Sequence, residues 1–174
     1  MDLDIIVQNK KNKILVIGPS SSGKSTLMHE WITKGLVNKK EICFAYQYNI
    51  IKKYTTRIFH YNLLKCYEDN NSSDINTDKL LEKILTIKPL FVYILFTNEE
   101  ELENRILKRR YNEYEFFNEK NAYKREKRLE ISRNCNYIEL YKSLIQLLEK
   151  KEINYSILDS TNPKFTKITY DKIY

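Results

Sequence analysis

The 174-residue chain contains little cysteine, little glycine and no long hydrophobic segment. Its three cysteines, Cys43, Cys66 and Cys135, are far apart, odd in number and without Cys-x-x-Cys spacing, which argues against a disulfide framework and a zinc site. The longest apolar run, residues 89–96, is far shorter than a membrane span, and the start at Met1–Asp4 lacks the features of a signal peptide. We therefore expect reduced thiols in a cytoplasmic protein that makes no membrane contact.

The length and charge of the chain limit its organisation and its partners. At 174 residues and 42% hydrophobic composition, we expect one domain over residues 1–174. The formal net charge of +7 favours anionic partners. The abundance of Lys, Asn, Ile and Tyr is also typical of an AT-rich genome, which explains the basic residues equally well.

The three glycines are distributed in an informative way. Gly18 and Gly23 occupy the two glycine positions of the pattern Gly-x-x-x-x-Gly-Lys-Ser, directly after an apolar strand predicted at residues 14–17. A loop that surrounds a phosphate must direct successive backbone N–H groups inward, and glycine permits the backbone conformations this needs. The pattern predicts a P-loop that binds ATP and Mg²⁺. Its predicted binding residues are Gly18, Pro19, Ser20, Ser21, Ser22, Gly23, Lys24, Ser25 and Thr26.

Three residues at the end of this loop have distinct predicted roles. Lys24 reaches the β- and γ-phosphates as a catalytic point charge, and Ser25 gives its hydroxyl to Mg²⁺. Thr26 contacts the α-phosphate. Since no structural partner for the Lys24 charge is evident, we expect its side chain to be exposed in the empty loop.

Apolar periodicity predicts alternating strands and helices along the chain. Gly35 is expected in a left-handed C-cap, Asn98 is expected to cap a helix that starts at Glu99, and Leu102, Ile106 and Leu107 are expected to face the core. The predicted strands are 14–17, 41–48, 56–64, 89–96 and 153–158, and the other predicted helices are 24–34, 74–87 and 122–150 with a break at 134–136. This alternation predicts a three-layer α/β/α fold around a five-stranded, mostly parallel sheet.

Missing signatures narrow the class of P-loop protein. Because Gly35 is the only glycine outside the loop, the chain lacks the glycine-rich signature of transporter ATPases and the Asp-x-x-Gly switch of GTPases. In a large motor or recombinase-type ATPase we expect an apolar strand that ends in paired acids. No strand before residue 150 ends in this way. The class of P-loop protein that remains is the small kinases.

The segment from Leu90 to Arg110 resembles the strand, acidic helix start and arginine-bearing helix end that lead into the lid of nucleoside and nucleotide kinases and related P-loop kinases. In order of elements the similarity covers residues 13–162. It implies a P-loop NTPase fold with a helical lid at about residues 108–128. It also implies an ATP-dependent phosphotransferase that moves the γ-phosphoryl group to a nucleotide, nucleoside or sugar-type metabolite.

Arginines near the implied lid are candidates for neutralising charge on the transferred group. Arg105 and Arg109 lie four residues apart on one helical face, so both are predicted catalytic residues. The alternative is a helix end whose basic residues favour the negative end of the helix dipole and pair with Glu101 or Glu113. For Arg125 and Arg128 on the next helix, a solvated face is at least as well supported, because two glutamates alternate with them.

The strand beside the P-loop strand departs from the kinase pattern. Kinases of this group commonly end it in an aspartate that serves Mg²⁺ or the attacking hydroxyl, whereas this chain has His60 and Asn62 at that place. Asn62 can hold a metal-bound water, and His60 can act as a base if it faces the site, although we expect a buried core histidine. Asp69 and Asp159 are substitutes. The departure leaves an alternative function open, a nucleotide-binding regulatory or NTPase module with weak or no kinase activity.

The remaining partner predictions concern the adenine base and the phosphoryl acceptor. The resemblance assigns residues 160–163 to a loop that contacts the base. Arg57, Lys52 and Lys53 suit a small anionic acceptor, or are loop charges that face solvent. A third function, phosphorylation of nucleic-acid ends, has only the net charge and the lysine-rich helices in its favour, and the oligomeric state is left open.

Overall fold

The computed structural model describes residues 3–44, 56–65, 75, 78–108, 119–162 and 164–173. The α-helices are α1 Leu3–Gln8, α2 Lys24–Thr33, α3 Lys79–Leu85, α4 Glu99–Lys108, α5 Glu119–Asn134 and α6 Tyr137–Lys150. The β-strands are β1 Lys13–Gly18, β2 Ile42–Phe44, β3 Ile58–Asn62, β4 Leu90–Phe96, β5 Asn154–Asp159 and β6 Thr166–Ile168, and short 3-10 helices lie at Lys39–Glu41 and Tyr170–Lys172. Within the described residues, no helix is both long and apolar enough to cross a membrane.

The strands form one sheet in the order β2-β3-β1-β4-β5-β6. The first five are parallel, and β6 runs antiparallel to β5. The predicted mostly parallel sheet is confirmed, but the predicted count of five strands is wrong because β6 adds a sixth. This strand has three residues and no buried position, so it carries no hydrophobic pattern that a sequence could reveal.

Helices cover both faces of the sheet, and two separate cores result. Successive residues of β1 alternate between them: Leu15 and Ile17 join one core, and Ile14 and Val16 join the other. Buried residues of α1 and α2 complete the second core, whereas α3, α4, α5 and α6 contribute to the first. This arrangement explains why β1 and β4 are almost continuously apolar.

Several predicted helix ends are confirmed by their caps. Gly35 has a φ of 70°, and the side-chain oxygens of Asn98 and Asn136 accept backbone N–H groups three residues further on. The cap at Asn136 explains the predicted break between α5 and α6. The helix predicted at 74–87 is shorter, since Asp78 caps α3 at Lys79. Leu107 is 48% exposed, so its predicted core position is wrong.

The two described cysteines, Cys43 and Cys135, are buried. Burial raises the pKa of the Cys43 thiol, and burial together with the charge of Glu99 raises the pKa of Cys135 to about 11. These two thiols are therefore poor nucleophiles at neutral pH. Cys66 lies outside the described residues.

Candidate functional site

The Gly18–Lys24 segment joins β1 to α2 at the carboxyl edge of the sheet. In the sheet, β2 and β3 lie on one side of β1, and β4 and β5 lie on its other side. The strand order therefore reverses beside this loop, and open parallel sheets bind ligands in the crevice at such a point. Topology alone therefore predicts a ligand site at the carboxyl ends of β1 and β4.

The two glycines of the loop are required for different reasons. A Cβ atom at Gly18 would lie 2.7 Å from the Oγ atom of Ser22 and 2.8 Å from the carbonyl oxygen of Leu95, so there is no space for a side chain. A Cβ atom at Gly23 would meet the ring of Phe165 at 3.4 Å, an ordinary contact, but Gly23 has a φ of 88°, which other residues adopt only with strain. Ser21 also has a positive φ, 70°. The backbone between β1 and α2 is thus held in a conformation that the sequence pattern requires.

Lys24 folds back onto the loop that it follows. Its Nζ atom donates hydrogen bonds to the carbonyl oxygens of Gly18, at 2.8 Å, and Pro19. Lys24 is only 4% exposed. The expectation of an exposed lysine without a structural partner is therefore wrong, because the curvature of the loop brings two carbonyl oxygens within reach of the ammonium group.

Two serine hydroxyls of the loop and the start of α2 are available for hydrogen bonding. Among the described residues, the buried hydroxyl oxygens of Ser21 and Ser22 have no hydrogen-bond partner. No side chain caps the start of α2 at Gly23, and Ser25 and Thr26 in its first turn are exposed. Buried hydroxyls without partners in the chain are able to bind a ligand, an ion or water. Unpaired hydroxyls and a helix N-terminus both suit a phosphate group.

A cavity of about 550 Å³ opens over the loop. This volume lies within the usual range of small-molecule sites. The described residues that line it include three cations and no carboxylate; they are Ser20, Ser21, Gly23, Lys24, Ser25, Thr26, His60, Asn62, Arg105 and Arg128. A cavity with this lining favours an anion with several negative charges.

His60 and Asn62, at the end of β3, both reach this cavity. They lie two residues apart on the same face of the strand, and Asn62 is opposite Gly18 in the register with β1. His60 is half-buried and lines the cavity, so the expectation of a buried core histidine is wrong. The Oδ1 atom of Asn62 accepts the backbone N–H of Leu64 at 3.3 Å.

Arg105 enters the cavity from α4. Its Nε atom donates to Glu101 Oε1 at 2.8 Å, and its Nη2 atom donates to the carbonyl oxygens of Ser160 and Thr161. Its Nη1 atom lies 3.9 Å from the position that a Cβ atom would take at Gly23. The guanidinium is therefore fixed beside the loop. Arg105 also pairs with Glu101, so the two predicted alternatives for this residue are both present.

Arg128 also lines the cavity, whereas the sequence supported a solvated face for it at least as well. It comes from α5, is half-buried and lines the cavity together with the loop. The alternation with glutamates had made a solvated face equally acceptable. The feature of the sequence that indicates a site role for Arg128 is its position on a basic helix that follows the implied lid. Arg109, Lys52, Lys53 and Asp69 lie outside the described residues, so their predicted roles stay predictions.

Arg57 does not lie at the cavity, and its predicted contact with an acceptor is wrong. It precedes β3, at the amino edge of the sheet, whereas the loop follows β1 at the carboxyl edge. Arg57 is 4% exposed, and its guanidinium donates to Glu41 and to the carbonyl oxygens of Val7, Asn9 and Asn12. Its function is to hold the connection between α1 and β1.

No described group of three or more His, Cys, Asp or Glu side chains could hold a metal ion. One carboxylate oxygen of Asp159 accepts the backbone N–H of Thr161 at 2.8 Å, and Asp159 is not among the cavity residues. Magnesium commonly keeps several waters and takes most of its other ligands from phosphates. Ser25 at the exposed start of α2 fits such a limited role.

A family model described as "Uncharacterised conserved protein UCP018868" matches residues 3–153. The match covers most of the 174 residues, and the chain belongs to this family. No curated protein matches the chain.

Proposed function

We propose that this chain is a P-loop kinase of the nucleoside and nucleotide kinase-like group, with the P-loop NTPase fold. It binds ATP with Mg²⁺ and transfers the γ-phosphoryl group to a small anionic acceptor. One observation carries the proposal: a Gly-x-x-x-x-Gly-Lys-Ser loop with unpaired buried hydroxyls stands at the point where the strand order reverses. Three cations line the cavity above it, at Lys24, Arg105 and Arg128.

The cavity residues have roles that their positions allow. The backbone N–H groups at the start of α2 and the hydroxyl of Ser21 bind the β-phosphate region. Lys24 leaves the carbonyl oxygens of Gly18 and Pro19 and binds phosphate oxygens. Ser25 would hold Mg²⁺, which would neutralise phosphate charge.

Transfer requires alignment and charge neutralisation more than covalent work by the protein. The acceptor oxygen forms a bond to the γ-phosphorus while the bond between that phosphorus and the β–γ bridging oxygen breaks. Arg105 and Arg128, and Arg109 in the lid, neutralise charge on the phosphoryl oxygens. His60 takes the hydroxyl proton, and Asn62 beside it orients a water or the acceptor.

The second candidate function is a nucleotide-binding regulatory module or NTPase with weak or no kinase activity. The observation in its favour is that the described cavity residues include no carboxylate. Phosphorylation of nucleic-acid ends has no comparable observation to support it, and we do not propose it.

One experiment separates the two. The protein is incubated with Mg-ATP and with pools of nucleosides, nucleotides and sugar phosphates, and mass spectrometry detects a product heavier by one phosphoryl group. Lys24→Ala serves as the inactive variant, and Lys127→Ala, an exposed lysine on α5, serves as the control. Kinase activity predicts a phosphorylated product with wild type and the control only. ATP binding without any product supports the regulatory module.

A further inference from the structure

Ser160 connects the end of β5 to the P-loop. It follows Asp159, the last residue of β5, and is 1% exposed. Its backbone N–H donates to the carbonyl oxygen of Phe96 at 2.8 Å, which fixes it against the end of β4. Its side chain therefore projects from a rigid position in the sheet.

The hydroxyl of Ser160 has three neighbours within hydrogen-bonding distance. The Oγ atom lies 2.7 Å from the carbonyl oxygen of Ser22, 2.8 Å from that of Phe96 and 2.7 Å from Thr97 Oγ1. A hydroxyl has one proton, and a carbonyl oxygen only accepts. Thr97 therefore donates to Ser160, and the Ser160 proton is given to a carbonyl oxygen. The Phe96 carbonyl already accepts the Ser160 N–H, which leaves the Ser22 carbonyl as the partner in need of this donor.

A second set of contacts joins the same segment to the loop. Arg105 donates to the carbonyl oxygens of Ser160 and Thr161. The ring of Phe165 lies 3.4 Å from the position that a Cβ atom would take at Gly23. The residues after β5 thus pack directly against the second glycine of the P-loop.

We infer that Ser160 is a positioning residue for phosphate binding, an inference that rests on the proposed function. In a planar trans peptide, the carbonyl of one residue and the N–H of the next point in opposite directions. When Ser160 holds the Ser22 carbonyl, the N–H of Gly23 is directed away from Ser160. Gly23 lines the cavity, so this N–H is held ready for a phosphate oxygen before any ligand arrives.

The test compares Ser160→Ala with Ser156→Ala. Ser156 is a buried serine on β5, at 7% exposure, so each of the two variants loses one buried hydroxyl oxygen from this part of the chain. Hydrogen exchange is measured on the peptide that covers residues 18–26 in the protein without ligand. Calorimetry measures the Kd for ATP. A near-isosteric variant with a weak donor, Ser160→Cys, provides a second measurement if Ser160→Ala does not fold.

We expect the P-loop amides to exchange about tenfold faster in Ser160→Ala than in Ser156→Ala, and the Kd for ATP to rise about fivefold to tenfold. Ser160→Cys should lie between Ser160→Ala and wild type. Equal exchange in the two alanine variants overturns the inference. If wild type binds no ATP, the proposed function fails, and the exchange measurement still decides whether Ser160 holds the loop.

Discussion

The Nζ atom of Lys24 lies 2.8 Å from the carbonyl oxygen of Gly18, the residue at the start of the same loop. The lysine expected to bind phosphates is therefore hydrogen-bonded to the loop itself before a nucleotide is present. Under the proposed function, nucleotide binding exchanges these hydrogen bonds for bonds to phosphate oxygens, which are charge-assisted and stronger.

Lys24→Ala should abolish productive nucleotide binding and leave the fold intact. We expect the Kd for ATP to rise by about a hundredfold or more, since a bond between two charged groups is lost. The melting temperature should fall by only a few degrees, because the loop loses its internal donor. Calorimetry and thermal unfolding measure the two effects, with Lys127→Ala as control. An ATP affinity equal to that of wild type contradicts the assignment.

Arg128→Ala should lower kcat much more than it changes ATP affinity. If Arg128 neutralises charge that develops during transfer, kcat falls by about a hundredfold, equivalent to roughly 3 kcal/mol. The adjacent Lys127→Ala removes the same charge from an exposed position of α5 and should have little effect. Steady-state kinetics and calorimetry on both variants test this. Equal kinetics in the two variants would return Arg128 to the solvated-face interpretation.

His60→Gln tests the proton acceptor. If His60 takes the hydroxyl proton, activity of the wild type falls as the imidazole protonates, with an acid limb at about pH 6 to 7, and this limb disappears in the variant. Asn62→Asp should keep or raise the rate, since it restores a carboxylate at the end of β3. The measurement is the pH profile of kcat together with the melting temperature. An unchanged profile with full activity ends the proposal of a histidine base.

Arg57→Ala should destabilise the protein without changing its affinity for ligands. The substitution removes one donor to Glu41 and to three backbone carbonyl oxygens, a loss of about 3 kcal/mol in the free energy of unfolding. Urea unfolding measures the loss, and calorimetry with ATP provides the comparison. A normal stability with an altered KM for the acceptor is the opposite result, and would show that Arg57 binds substrate after all.

The partner of Arg57 gives a prediction for pH dependence. Burial acts to raise the pKa of the Glu41 carboxyl, but the backbone N–H of Asn38 and the guanidinium of Arg57 outweigh burial and hold this pKa below its ordinary value of 4.5. A lowered carboxyl pKa adds stability above the ordinary value, and that stability is lost as the pH falls through the folded-state pKa.

Glu41→Gln should therefore lower the free energy of unfolding at about pH 7 and make a smaller difference at about pH 3. Urea unfolding at both pH values checks the sign, with the exposed Glu126→Gln as control. A destabilisation that does not depend on pH means that the ionised carboxylate is not what stabilises this connection.

The sequence by itself determined the features that depend on neighbouring residues. Gly18 and Gly23 are five residues apart because the loop needs one position without space for a Cβ atom and one with a positive φ. The apolar runs of β1 and β4 predict a sheet covered on both faces, and Asn98 predicts a helix start. These signals are local, so no knowledge of distant contacts is needed.

Only the tertiary structure decided which distant residues share the cavity. Arg128 and Ser160 meet the loop because α5 packs against α4 and the end of β5 lies beside the end of β4. Arg57 is excluded because it precedes its strand and so lies at the opposite edge of the sheet. Lys24 is buried because the loop curves around its ammonium group. The sequence determines the chemistry of each side chain. The edge of the sheet at which a residue lies, and the direction of its side chain, follow from packing between segments far apart in the chain.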